Sequence, residues 1–146
     1  MELSTFSSLL SFAIEMEERS ARFYEEAADS GVCGHSNEAI LALARQGRNR
    51  RSLLLAARQE NVTEMILEPI TGLDSKWYEV DYKQVVECAG WLAMAAEVER
   101  NSLRFYLDAG DRARHLLAGV ARTFARLARE NEQRLQEIQH LAGLSR

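Results

Sequence analysis

The chain is predicted to be all-α: a four-helix bundle made of two pseudo-repeated helical hairpins joined by a long crossover. Three observations lead there. The 146 residues include one proline and eight glycines, amid many Ala, Leu, Glu and Arg, the residues that favour helix. Four long blocks carry apolar residues at the spacing of one helix face. The first pair of blocks then returns, in recognisable form, as the second pair.

The first block covers about residues 4–29, with Ser4 as its expected N-cap and Gly31 as its stop. The second covers about 37–60, capped by Ser36. The third is expected to start near Asp81, a good N-capping residue, and to run to about 108. The fourth covers about 112–141 and ends near Gly143. Short connections within each pair predict antiparallel hairpins. The middle connection, about 61–80, carries Pro69, Gly72 and the pair Trp77–Tyr78. A 25-residue helix is about 37 Å long, and some twenty residues cover that distance. The third helix can therefore begin at the end where the second began. A structureless connection of this length is unusual, so a short helix is expected around 62–67. The whole is read as one domain: hairpin 1 at about 4–60, crossover at about 61–80, hairpin 2 at about 81–142.

Composition narrows the function classes. A formal net charge of −4 gives no reason to expect nucleic acid or an anionic membrane as partner. No apolar run reaches the ~20 residues that span a bilayer. The opening "MELSTFSSLLSFAIEMEERS" lacks a basic segment and turns acidic early, against a secretory signal. Cys33 and Cys88 form neither a CxxC pair nor a disulfide framework, so free thiols in a reducing cytoplasm are expected. His35, His115 and His140 fall near connections or helix ends and read as surface or capping residues.

The repeat is specific. "AIEMEERSARFYEEA" (13–27) matches "AAEVERNSLRFYLDA" (95–109) at Glu15/Glu97, Glu17/Glu99, Ser20/Ser102, Phe23/Phe105 and Tyr24/Tyr106. In the second helices Leu43/Leu127, Ala44/Ala128 and Arg50/Arg134 correspond. Helical spacing then sorts these residues by face. Glu17 interrupts the stripe Phe6, Leu10, Ala13, Ala21, Tyr24, and Glu99 interrupts Leu92, Ala96, Leu103, Tyr106. Glu15 and Glu97 fall towards the polar side. Arg50 stands in the stripe Ile40, Leu43, Gly47, Leu54, and Arg134 in Val120, Phe124, Leu127, Asn131, Ile138. Four unpaired charges cannot sit apart in one core, because each costs several kcal/mol. Two glutamates and two arginines sum to zero, which predicts a central Glu–Arg network. The alternative is that the arginines lie at the stripe edge and snorkel to water.

On these residues the chain resembles the rubrerythrin branch of the ferritin-like superfamily. The motifs "AIEMEERSARFY" and "AAEVERNSLRFY", the duplicated hairpin and the long crossover carry the resemblance over nearly the whole chain. It implies a ferritin-like bundle. Active members hold a di-iron or di-manganese site, with one Glu from each first helix and a Glu-x-x-His pair from each second helix. By resemblance Glu17 and Glu99 fall at the first-helix ligand positions. The second helices depart: Gly47 and Asn131 stand at the Glu positions, Arg50 and Arg134 at the His positions. A register one residue earlier gives Gln46/Asn49 and Glu130/Gln133, again without a complete pair.

The leading expectation is a ferritin-like chain that has lost di-iron chemistry and acts through structure or binding, with neither cofactor nor catalytic residues. Its core charge network would be Glu17, Arg50, Glu99 and Arg134. Tyr24, Tyr106, Gly47 and Asn131 would support it, although the tyrosines also read as plain core aromatics and Gly47 as a close helix contact. The alternative is a carboxylate-rich di-iron protein that reduces peroxide, oxidises ferrous iron or handles iron. It would bind Fe or Mn through Glu17, Glu99 and Glu130. A small-molecule or radical-handling bundle built on Tyr24 and Tyr106 is a third reading, with nothing else in its favour. No rubredoxin-like CxxC module is present. A homodimer is expected, with the apolar stretch 60–82 as the candidate contact.

Overall fold

The computed structural model describes residues 1–61, 70 and 72–144. Four long helices account for most of them: α1 (Phe6–Ser30), α2 (Asn37–Glu60), α3 (Cys88–Ala113) and α4 (Ala118–Leu144). The backbones of α1 and α2 pack along their length, as do those of α3 and α4, while the two hairpins meet mainly through side chains. This is the ferritin-like bundle with one long crossover. An isolated antiparallel bridge joins Glu2 to Asp74.

Each helix end has a local cause. Thr5, not Ser4, caps α1: its hydroxyl accepts from the Ser8 N–H at 3.0 Å, and the Ser8 hydroxyl accepts from the Thr5 N–H at 3.1 Å. Gly31 ends α1 at φ 68°, a left-handed conformation in which a side chain is strained. Ser36 precedes α2 but its side chain makes no capping bond. The expected start of the third helix at Asp81 is wrong. Residues 81–86 are non-helical, and α3 begins at Cys88 with Glu87 at the cap position. The β-branched pair Val85–Val86 disfavours helix there, and Val85 lies against the new helix. A Cβ on Gly90 would stand 2.8 Å from Val85 Cγ1, so glycine admits this close approach. Val85 therefore sits outside α3, and Ala89 is exposed. The boundary between α3 and α4 also lies later than expected. Ala109 and Ala113 are fully buried, and that burial carries α3 past Gly110, a residue that weakens helix. The expected helix at 62–67 lies outside the described residues.

The crossover returns along the bundle over α1 and α3. Leu3 N–H donates to Leu73 O at 3.0 Å, and Ile70 N–H to Ser4 O at 2.9 Å. The Tyr78 hydroxyl donates to Asp108 at 2.6 Å, and Asn101 donates to Glu79 O at 3.4 Å. Two apolar clusters fill the bundle. One gathers Phe6, Leu10, Tyr78, Phe105, Tyr106 and Phe124; the other gathers Tyr24, Cys33, Ile40, Trp91, Ile138 and Leu141. The charged layer lies between them. The expectation of free thiols is overturned: Cys33 and Cys88 form a disulfide that ties the α1–α2 turn to the start of α3. The two cysteines are 55 residues apart in sequence, so only the folded arrangement brings them together.

Candidate functional site

The inward stripes deliver eight polar or small residues to the middle of the bundle. Glu17 and Glu99 are each 2 % exposed, Arg50 2 %, Arg134 3 % and Asn131 1 %. Tyr24 and Tyr106 are fully buried, and Gly47 is buried beside Ala21, where an added Cβ would sit 3.4 Å from the Ala21 Cβ. Glu15 and Glu97 point to solvent, as do all three histidines.

Each arginine grips the glutamate of its own hairpin. Arg50 donates to Glu17 through Nε (3.1 Å) and Nη2 (3.0 Å). Arg134 donates to Glu99 through Nε (2.9 Å) and Nη2 (3.2 Å). Paired donation of this kind fixes the planar guanidinium against the planar carboxylate. The remaining donors reach into the other hairpin. Arg50 Nη1 bonds Leu127 O and Glu130, both at 3.2 Å. Arg134 Nη1 bonds Leu43 O at 3.1 Å and Gln46 at 2.8 Å. Leu43 and Gln46 occupy the repeat positions of Leu127 and Glu130, so the pseudo-twofold extends to these acceptors.

The tyrosines cross over. Tyr24 on α1 donates to Glu99 on α3 at 2.5 Å. Tyr106 on α3 donates to Glu17 on α1. The same rings lie beneath the guanidinium groups: Arg50 Cζ is 5.4 Å from the Tyr106 ring centre, and Arg134 Cζ is 5.3 Å from that of Tyr24. Each glutamate is therefore held by an arginine from its own hairpin and a phenol from the other.

Symmetry breaks at two pairs: Glu130 offers Arg50 a carboxylate where Gln46 offers Arg134 an amide, and Asn131 stands where the first hairpin has Gly47. Asn131 accepts from Arg50 Nη2 at 2.8 Å and donates to Glu99 at 2.8 Å. It links the two halves directly. Gly47, its counterpart, has no side chain, so Arg134 makes four hydrogen bonds where Arg50 makes five.

The electrostatics follow from this geometry. Burial works against the Arg50 cation, but Glu17 and Tyr106 outweigh it and raise its pKa. Burial likewise opposes Arg134, and Glu99 and Tyr24 outweigh it. Burial pushes the Glu99 carboxyl up, yet Arg134 overrides it and holds the group below its ordinary value. Burial, reinforced by the adjoining carboxylates, drives both phenols well above the ordinary tyrosine range. The layer thus holds the Glu99 carboxylate, two guanidinium cations and two protonated phenols.

Among the residues expected at the site, Glu17, Arg50, Glu99, Arg134, Tyr24, Tyr106 and Asn131 meet in one bonded network, with Glu130 at its edge. Gly47 takes no part in the bonding and packs closely against Ala21. The acceptor role of Gln46 and of the two leucine carbonyls was missed. The repeat carried a signal for Gln46, because it stands four residues before Arg50 as Glu130 stands before Arg134.

No protein-family model matches the chain, and no curated protein matches its sequence. A solved structure does resemble it. The fold is similar to that of a dodecameric thioferritin, the bacterioferritin-related protein of Bacteroides fragilis, with a TM-score of 0.72 and 17 % sequence identity. The likeness covers 91 % of this chain and 81 % of that one. It shows a shared ferritin-like fold.

Proposed function

We propose that this chain is a ferritin-like protein that works through structure or binding, with a Glu–Arg network where di-metal relatives carry their ions. The observation that supports this most strongly is the paired grip of Arg50 on Glu17 and of Arg134 on Glu99. The residues do not fit a di-metal centre. Both oxygens of each central glutamate already accept hydrogen bonds from the chain. The guanidinium groups repel cations from the space between them. Among the described residues no three His, Cys, Asp or Glu side chains gather in a metal-binding group. Glu130, the remaining carboxylate of the alternative ligand set, pairs with Arg50 and Arg126.

Two narrower readings belong to the same proposal. The paired "AIEMEERSARFY" and "AAEVERNSLRFY" motifs favour the rubrerythrin branch within the ferritin-like fold. The similar thioferritin is dodecameric, which supports self-association here. A homodimer using the crossover is the simplest form, and Trp77, 52 % exposed, lies on that segment. The described helices include none long and apolar enough to cross a membrane. A cytoplasmic location loses the support that free thiols would have lent it.

Elemental analysis of protein produced with added iron and manganese tests the reading. Far less than one ion per chain is expected, unchanged in a Glu17→Ala/Glu99→Ala variant. Near-stoichiometric iron that disappears in that variant would return the protein to the di-iron class.

A further inference from the structure

A groove of about 560 Å³ opens between the outer side of α1 and the crossover. Phe12 and Met16 form its α1 wall; Tyr78, Val80 and Tyr82 form the other. Its volume falls within the ~300–1,000 Å³ of small-molecule sites, and such sites are mostly apolar with a few placed polar groups. The walls are held from behind. The Phe12 and Tyr78 rings meet Phe105 at 5.2 and 5.3 Å, and Tyr82 meets Phe23 at 5.3 Å. A groove with braced aromatic walls loses little freedom on binding, and the Met16 thioether adapts to a flat ring.

Tyr82 is the anomaly. The chain has four tyrosines, and three donate to carboxylates: Tyr24 to Glu99, Tyr78 to Asp108 and Tyr106 to Glu17. The half-buried Tyr82 makes no such bond, and its hydroxyl has no hydrogen-bond partner among the described residues. Burial, then the Glu99 carboxylate, raises its pKa, so it remains a donor. The rim offers no attraction to an anion. Glu15 and Arg19 neutralise each other at 3.3 Å. Glu79 also lines the groove, makes no ion pair among the described residues and repels anions.

We propose that this groove binds a planar, uncharged aromatic carbonyl compound, with its rings against Phe12 and Met16 and its carbonyl oxygen accepting from the Tyr82 hydroxyl. The proposal does not rest on the Glu–Arg layer excluding metal. Calorimetric titration with 9-fluorenone and with fluorene, the same ring system without the oxygen, tests it. The full chain should bind 9-fluorenone saturably and about fivefold more tightly than fluorene, the worth of one hydrogen bond. Tyr82→Phe should bind the two alike. Met16→Trp, which fills the groove, should bind neither. If Met16→Trp fails to fold by circular dichroism, Ser11→Trp at the exposed rim serves the same purpose. Absence of saturable binding to the unaltered chain overturns the proposal, including when a second copy covers the groove. Binding that survives the filling substitution overturns it too, as does a preference for the ketone that persists in Tyr82→Phe.

Discussion

Arg50 uses all five of its N–H donors on protein acceptors, and that completeness makes a buried guanidinium tolerable. Removing it leaves Glu17 buried with Tyr106 as its remaining partner. Arg50→Leu should therefore cost about 3–5 kcal/mol, read as a lower urea midpoint at unchanged slope. Adding Glu17→Leu removes the stranded charge and should recover part of the loss. A midpoint unmoved by Arg50→Leu would show the pair to be energetically idle. Glu99 gives the layer its acid sensitivity. Burial raises its pKa, but Arg134 prevails and holds it below the ordinary 4.5. A carboxyl with a depressed folded-state pKa contributes stability that is present above the unfolded value. That contribution is lost as pH falls through the folded one. The urea midpoint should hold from neutral pH towards 4.5 and drop below it. Glu99→Gln should be weaker at neutral pH and should lose less on acidification. Equal losses in both proteins would remove Glu99 as the cause.

At the scale of elements, sequence pattern located the stripes more reliably than the ends. The span 37–60 matches α2 because a continuous apolar stripe and a single connection on each side leave few alternatives. The third helix starts later than Asp81 suggested, because one capping residue is a weak signal against Val85–Val86 and a crossover that must lie flat on α1 and α3. The fourth starts later because burial of Ala109 and Ala113 extends α3. The disulfide was not legible at all, since no local pattern relates Cys33 to Cys88. Closing a loop of 55 residues restricts the unfolded chain by up to ~4 kcal/mol. Cys33→Ser/Cys88→Ser, or reduction by dithiothreitol, should lower the melting temperature accordingly, with a cost of about 2–4 kcal/mol. Identical melting with and without reductant would mean the bridge contributes nothing in solution.

The whole molecule is two hairpins locked by one charged layer. Sequence alone placed the glutamates and arginines in apolar stripes, because a charged residue breaking such a stripe is visible at helical spacing, but it left open whether the arginines turn inward or snorkel to water. It could not say that each arginine pairs within its hairpin while each tyrosine crosses to the other. That distinction depends on how the hairpins dock. Nor could it give the role of Asn131, whose counterpart Gly47 has no side chain. These links make the layer both a charge balance and a clasp between halves, and the account rests on guanidinium groups filling the space that metal ions would need. Crystals grown with ferrous iron and manganese, with anomalous diffraction recorded at both absorption edges, test it most directly. The account predicts no anomalous peak between Glu17 and Glu99, and both arginine heads within hydrogen-bond reach of those carboxylates. A peak bridging the two glutamates, with Arg50 or Arg134 turned away, would contradict it.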